Sequence, residues 1–439
     1  MSDLISYRLN EIAELSKGIN YSSSDYTENG TGITFITIKS ILKGGGYDKT
    51  GLKAIRNRFS QQDLLSEDDL LIAITDLTRD GDIVGSPIII PKHLVGSVAS
   101  MDLVRIIPNK SITCTRYLYY FLMLPSTRRY FVNHSSGSTV LHLETKSIPK
   151  LTIPLLSLDD QKRVVKILST VDEVIDKTKA AIDKYQAIKA GMMRDLFTRG
   201  IDTQTGRLRP TIEDAPELYK ESELGWIPKE WEVVPIGDFA KIKGGKRMPA
   251  GKEFSDTLTP YPYLRVTDMQ NGAIDQSDLK YVPVEIEPLI RNYKISVDDV
   301  YVTIAGTLGL FGTIPVNLDQ AQLTENAAKI TEFDKTEYNR DFIKHQCNSM
   351  IVQGQVIREI GVGGGVPKLA LYRIAKFLFL KPSINEQKAI VARVQVIENK
   401  IRDERLAMIK HKQIKHGLMA DLLTGKVRVN LNHDKVENG

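Results

Sequence analysis

The chain has 439 residues, 42% hydrophobic and 26% charged, with 59 Lys and Arg against 54 Asp and Glu and a formal net charge of +5. That length exceeds one ordinary core and predicts two to four domains, and so small a net charge permits a nucleic-acid partner without arguing for one. The two cysteines, Cys114 and Cys347, stand far apart, which excludes a CxxC zinc site or a disulfide framework and fits a reducing cytoplasm; no apolar run reaches the roughly 18–20 residues that span a bilayer, and the N-terminus lacks a signal pattern.

Residues 1–157 read as a first globular domain of many short strands with few helices. "LNEIAELSKG" (9–18) opens it, "SEDDLLIAI" (66–74) is a turn followed by a buried-strand run, and a helix is predicted near 115–124. In "SSGSTVLHLETKSIPKLTIPL" (135–155) a Gly/Ser loop precedes an apolar stretch and then a proline. Over 158–200 the pattern changes to apolar residues spaced by three or four: Val164, Leu168, Val171, Ile175, Ile182, Tyr185, Ile188, Met192 and Leu196. This is the seam of a coiled-coil helix, with one polar slot at Thr178. A polar linker, 201–230, carries Pro210, Pro216 and Pro228.

The order then repeats. A second domain, 231–382, contains "IGDFAKIKGG" (236–245), "SVDDVYVTI" (296–304), a helix near 338–359 and "GGGVPKLALYRIAKFLFLKP" (363–382). A second helix, 383–426, has its seam at Ile390, Val394, Ile397, Ile401, Met408, His411, Ile414, Leu418 and Leu422, each 226 residues after its counterpart, and a polar slot at Glu404. Residues 427–439 form a polar tail. The helix ends "KAGMMRDLFTRG" (189–200) and "KHGLMADLLTGK" (415–426) share six of twelve residues, and the starts share Gln161-Lys162 and Gln387-Lys388. Each helix is roughly 60 Å long at about 1.5 Å per residue.

An exposed seam must pair, and two equivalent units close by a two-fold axis. The fold class expected is α+β: two α/β globular domains separated by two long helices in an antiparallel coiled coil, with a pseudo-two-fold internal repeat. Pairing with a second chain's helices is the alternative. A rod with a reading head at each end suits duplex DNA, whose half-sites recur about one helical turn apart.

These stretches carry a family resemblance. "IPLLSLDDQKRVVKIL" and "FLKPSINEQKAIVARV" resemble the proline-containing starts of the spacer helices in specificity subunits of type I restriction–modification systems. "GMMRDLFTRG" and "GLMADLLTGK" resemble their ends, and "EDAPELYKESELGWIPKEWEVVPIGDFAKIKGG" resembles the lead-in to the second target-recognition domain. The resemblance covers essentially the whole chain. Its departures are a first helix start, "LSLDDQK", poorer in proline, and Arg199 before Gly200 where the second copy has Gly425 directly. It implies that each domain reads one part of a bipartite site on double-stranded DNA, and that the helices set the gap and dock two methyltransferase subunits. Restriction endonuclease/translocase subunits join that core. No cofactor is expected on this chain, and S-adenosylmethionine, ATP and Mg2+ belong to the partners.

The sequence offers little catalytic chemistry of its own. Gly244-Gly245-Lys246 is followed by Arg247, and Gly425-Lys426 by Val427, so neither completes a phosphate loop. "GVGGG" (361–365) resembles one only in glycine content. His411 and His416 lie at i, i+5, off one face, and His142 near Ser135, Ser136 and Ser138 lacks a nucleophile elbow. Asp68/Asp69 and Asp298/Asp299 recur as turn acids. Candidates for DNA contact are polar or basic loop residues. In the first domain these are Lys17, Asn20, Tyr21, Lys39, Ser40, Thr75, Asp76, Arg79, Ser136 and Ser138; in the second, Lys246, Arg247, Arg265, Thr267, Asp268, Thr307 and Lys368. A structural coiled-coil scaffold and a nuclease acting alone are the competing readings.

Overall fold

The computed structural model describes residues 4–27, 31–56, 59–78, 80–270, 272–360 and 367–427. They form two compact units, one built from residues up to 180 together with those from 405 onward, the other from 181–404.

In the first unit the run "LLIA" at Leu70–Ala73 is buried at every position and becomes an inner strand of a four-stranded antiparallel sheet. Across the sheet the strands are Ala13–Lys17, Leu103–Pro108, Leu70–Ala73 and Pro87–Ile89. Because side chains alternate faces, Leu70, Ile72, Val104 and Ile106 pack against Tyr117, Leu118 and Phe121 of the helix Thr115–Leu122. Leu71, Ala73 and Leu103 pack on the opposite face with Ile36 and Ile41. Ile36 comes from a second sheet, in which Ile33–Ile36 runs parallel to Val98–Ala99. Thr152–Leu155 pairs with Ile5–Arg8 and leads into the first long helix, Leu158–Thr198.

The second unit repeats this frame. Lys241–Gly244, Ala327–Thr331, Val300–Thr303 and Phe311–Gly312 form a sheet of the same order. Pro262–Leu264 runs parallel to Ala321–Leu323, and Glu232–Pro235 pairs with Leu378–Lys381 just before the second long helix, Ile384–Leu422. The equivalence holds bond by bond. Gly18 N donates to Leu103 O and Gly245 N to Ala327 O, both at 3.0 Å. Ile74 N donates to Asp102 O and Ile304 N to Asn326 O, both at 2.8 Å. A Cβ on Gly18 would overlap the Ser100 carbonyl, and one on Gly245 the Thr324 carbonyl, so both copies require glycine there.

The shared Gln of the helix starts has the same duty twice. Gln161 is fully buried; its amide donates to Leu156 O at 2.9 Å and Ile112 O at 3.1 Å, and its carbonyl accepts from Thr113 Oγ1 and Cys114 N. Gln387, also fully buried, donates to Pro382 O and Glu337 O at 2.9 Å and accepts from Asn339 N. Each amide joins its helix start to the loop before a sheet-packing helix, and a buried polar group is retained only when so satisfied.

Within each unit the two long helices pack antiparallel. In the first, Val164 and Leu168 share a core with Met419, Leu422 and Leu423, and Lys415 Nζ lies 2.6 Å from Asp172. In the second, Leu196 and Phe197 share a core with Ile390 and Val394, and Lys189 Nζ lies 2.7 Å from Glu398. Of the seam positions, Val164, Leu168, Ile182, Leu196, Ile390, Val394, Ile401 and Leu422 are buried, and Val171, Ile175, Met192, Ile397, Met408 and Leu418 half-buried. Two positions need correction. Ile188 and Ile414 are both 43% exposed. The heptad step from Tyr185 and His411 falls four residues on, at Lys189 and Lys415, and those lysines occupy the seam through their ion pairs.

The segment read as a plain linker is also folded. Tyr219–Ser222 and Gly225–Pro228 form a hairpin. Arg209 is buried against Glu386, which also accepts from Trp231 Nε1 at 3.0 Å and Ile201 N at 2.7 Å. A carboxylate only 2% exposed at a helix start needs these donors.

Candidate nucleic-acid interface

In the first unit the chain leaves its first strand at Gly18, and Ile19 N bonds Ala99 O at 2.8 Å. This delivers Tyr21 to the rim of an open cavity of about 850 Å³. Its ring stands edge-on to Tyr26 and Phe35, with centroids 5.6 and 4.9 Å away. Lys39 and Thr75 line the same cavity. Lys39 is exposed on the single turn Ile38–Ser40, where its N–H bonds the Thr37 hydroxyl. Thr75 donates to Asp102 Oδ1 at 2.9 Å, and the Tyr21 hydroxyl lies 3.4 Å from Asp102 Oδ2. Burial, then the neighbouring Tyr26 and Asp102, push the Tyr21 phenol well above its usual range, so it stays a neutral donor.

The other first-unit candidates divide. Ser136 and Ser138 are exposed and do not line the cavity; Ser135–Ser136 pairs with Leu141–Leu143, which in turn pairs with the strand Thr75–Asp76. Asn20 is exposed next to Tyr21. Lys17 lies in a separate recess with Gln62 and Arg105. Ser40 is fully buried, and its hydroxyl accepts from Thr37 N, so it is a turn cap and not a contact. Asp76 is fully buried too. Burial works against its charge, but bonds from Thr78 and from Val84 and Ile83 N–H groups outweigh it and hold the carboxyl below its usual pKa. Its task is to fold the loop after Thr75. Arg79 lies outside the described residues.

In the second unit Lys246 and Arg247 leave the equivalent strand just after Gly245, both exposed. The Lys246 ammonium stands 5.6 Å from the Tyr293 ring centre, and Arg247 pairs with Glu325 at 2.5 Å. Thr267 is exposed at the place Lys39 takes in the first unit, on the turn Val266–Asp268. Thr307 and Lys368 are exposed, and Lys368 bridges the backbone of Ala305. Arg265 is otherwise engaged: its guanidinium bonds Asp268 at 2.6 Å and Asp278 at 3.2 Å. Asp268, 4% exposed, also accepts from Arg265 N, so this pair builds the turn. The "GVGGG" stretch lies outside the described residues.

Tyr26, Lys53 and Asp102 line the first cavity and were not singled out from the sequence. Lys53 could have been found from the strand Lys53–Ile55, whose alternation turns it outward. Asp102 could not: only the fold brings it back to Thr75. Among the described residues no group of three or more His, Cys, Asp or Glu is placed to hold a metal, and no helix is long and apolar enough to cross a membrane.

A family model described as "Type I restriction modification DNA specificity domain" matches the chain twice, over residues 1–185 and 228–411. The type I restriction enzyme MjaVIII specificity subunit of Methanocaldococcus jannaschii is 24% identical over 374 residues, covering 84% of this chain and 81% of that protein. The EcoBI specificity subunit of Escherichia coli is 22% identical over 395 residues, 88% of this chain and 77% of its own. The crystal structure of a type I S subunit from M. genitalium shares the fold, with a TM-score of 0.54 at 12% identity over 98% of this chain and 97% of that one.

Proposed function

Because the chain belongs to the type I restriction–modification DNA specificity family, we propose that it selects the DNA sequence on which such a complex acts. Each unit reads one half of an asymmetric, split duplex site. The paired long helices set the gap between the halves and dock two methyltransferase subunits, to which the restriction endonuclease/translocase subunits add. The chain itself is non-catalytic: methyl transfer, ATP hydrolysis and cleavage, with S-adenosylmethionine, ATP and Mg2+, belong to those partners in the cytoplasm.

One observation supports this reading above the rest. A single strand frame occurs twice and presents different side chains from the same two loops: Lys17 to Tyr21 and Lys39 in one copy; Lys246 and Arg247, and Thr267, in the other. A shared scaffold with unlike reading loops is what two unlike half-sites require. Exposed Lys17, Lys39, Lys246 and Lys368 suit phosphates, and the hydroxyls and amides suit base edges.

Methylome sequencing of a host that expresses the chain with its partner methyltransferase tests the proposal. The expected result is one new motif of two unlike half-sites separated by a fixed unread gap. Methylation at a continuous palindrome, or at no new motif, overturns it.

A further inference from the structure

Asp102 puts a negative charge in a cavity whose rim carries Lys39 and Lys53. In a surface that meets phosphates, an acid is unfavourable unless it faces a donor. Asp102 is half-buried, and its carboxylate is held in orientation by hydroxyls: Thr75 at 2.9 Å on Oδ1, and Tyr21 at 3.4 Å and Ser100 at 3.5 Å on Oδ2. Two carboxylate oxygens offer about four acceptor positions, so capacity remains for a further donor from the cavity.

The second unit provides an internal comparison. The carbonyl that accepts from Ile304 N, as Asp102's does from Ile74 N, belongs to Asn326. Counting from the paired glycines and strands, Met248 stands for Tyr21 and Ala305 for Thr75. Of the acid's three hydroxyls only Ser100 has a counterpart, Thr324, and that hydroxyl accepts from the Asn326 backbone N–H and not from its side chain. Asn326 is half-buried, and among the described residues its side-chain amide makes no hydrogen bond within the protein. A carboxylate only accepts, whereas an amide donates and accepts.

Resting on the reading of the two units as DNA readers, we propose that Asp102 and Asn326 are specificity-determining residues, one for each half-site. Asp102 accepts from the exocyclic amine of a cytosine or adenine, and Asn326 pairs through both amide atoms with an adenine. Each governs one base pair in its own half-site and none in the other.

The test is methylome sequencing of the full complex carrying the unchanged chain, Asp102→Asn or Asn326→Asp. Both substitutions preserve shape. Asp102→Asn is expected to cut methylation of the original base at one position by roughly tenfold or more and to admit another base there, with the other half-site and the gap unchanged. Asn326→Asp is expected to do the same in the opposite half-site. Where a variant methylates too little to sequence, binding of the complex to duplexes substituted one base pair at a time reads the same preference. Unchanged base preference at every position overturns the inference, and so does a uniform loss across all sequences, which marks a structural role. A split motif with the unchanged chain keeps that failure distinct from failure of the DNA-reading proposal, which would show as no split motif at all.

Discussion

His345 shows what one substitution between the copies does. In the first unit Tyr120 occupies the corresponding place, donating its hydroxyl to Asp172 at 2.7 Å beneath the Lys415 ammonium, 5.3 Å from the ring centre. In the second the smaller imidazole, 3% exposed, faces Glu398 across 3.8 Å and borders a cavity of about 620 Å³ with Met193, Phe197 and Ser349. Burial, and then the charge of Lys344, push the His345 pKa down to about 3; Lys189 adds to this, while Glu398 and Asp341 oppose it. The unfolded chain therefore binds a proton near pH 6.5 that the folded one refuses until about pH 3. The stability contributed is complete above pH 6.5 and falls as pH drops through that window, by up to about 1.4 kcal/mol per pH unit. Denaturant unfolding between pH 7 and 4 is expected to show this acid limb, and His345→Tyr is expected to flatten it. An equally steep limb in the variant would assign the effect to other groups.

At the level of the element, the seam residues were legible because apolar spacing survives without any knowledge of the partner. The step at Ile188 and Ile414 was not. Both copies place an isoleucine one residue before the heptad slot, and period alone favours the apolar residue over a lysine. What decides is the opposing helix, which presents Glu398 to Lys189 and Asp172 to Lys415. Those four residues repeat at the same interval of 226, a charge pattern visible only when the two helices are laid antiparallel. The distinction has a measurable consequence. Ile188→Ser, at a 43% exposed site, is expected to change stability by less than about 0.5 kcal/mol. Leu196→Ala, at a fully buried site, is expected to cost about 2–5 kcal/mol. Chemical denaturation followed by far-UV circular dichroism compares them, and similar losses would return Ile188 to the seam. The candidate loops were legible only in part for a related reason: Asn20 and Tyr21 directly follow a recognisable framework block, whereas Ser40, Thr75, Asp76 and Asp268 are polar residues that the fold buries, three of them to satisfy the backbone of their own turns.

For the whole molecule, the duplication is the feature that the sequence carried most clearly and the fold most fully repeats. Turn acids, paired glycines and helix-starting glutamines recur because each answers a backbone need that is the same in both copies. Everything between them is free to differ, and that freedom lets one scaffold carry two unlike sets of loops, as the proposed reading of two unlike half-sites requires. If the helices also measure the distance between half-sites, their length is a quantity that can be altered without touching either reader. Four residues inserted after Thr178 and four after Glu404 lengthen both helices by about 6 Å and turn each by roughly one helical turn, which nearly preserves the seam's phase. At about 3.4 Å per base pair that is between one and two pairs. Methylome sequencing of a host expressing this variant with the methyltransferase is expected to return both half-site sequences unchanged and a gap longer by one or two pairs. Altered half-sites across an unaltered gap would mean that spacing is set elsewhere, in the partners or in the linking hairpin, and that the paired helices serve assembly alone.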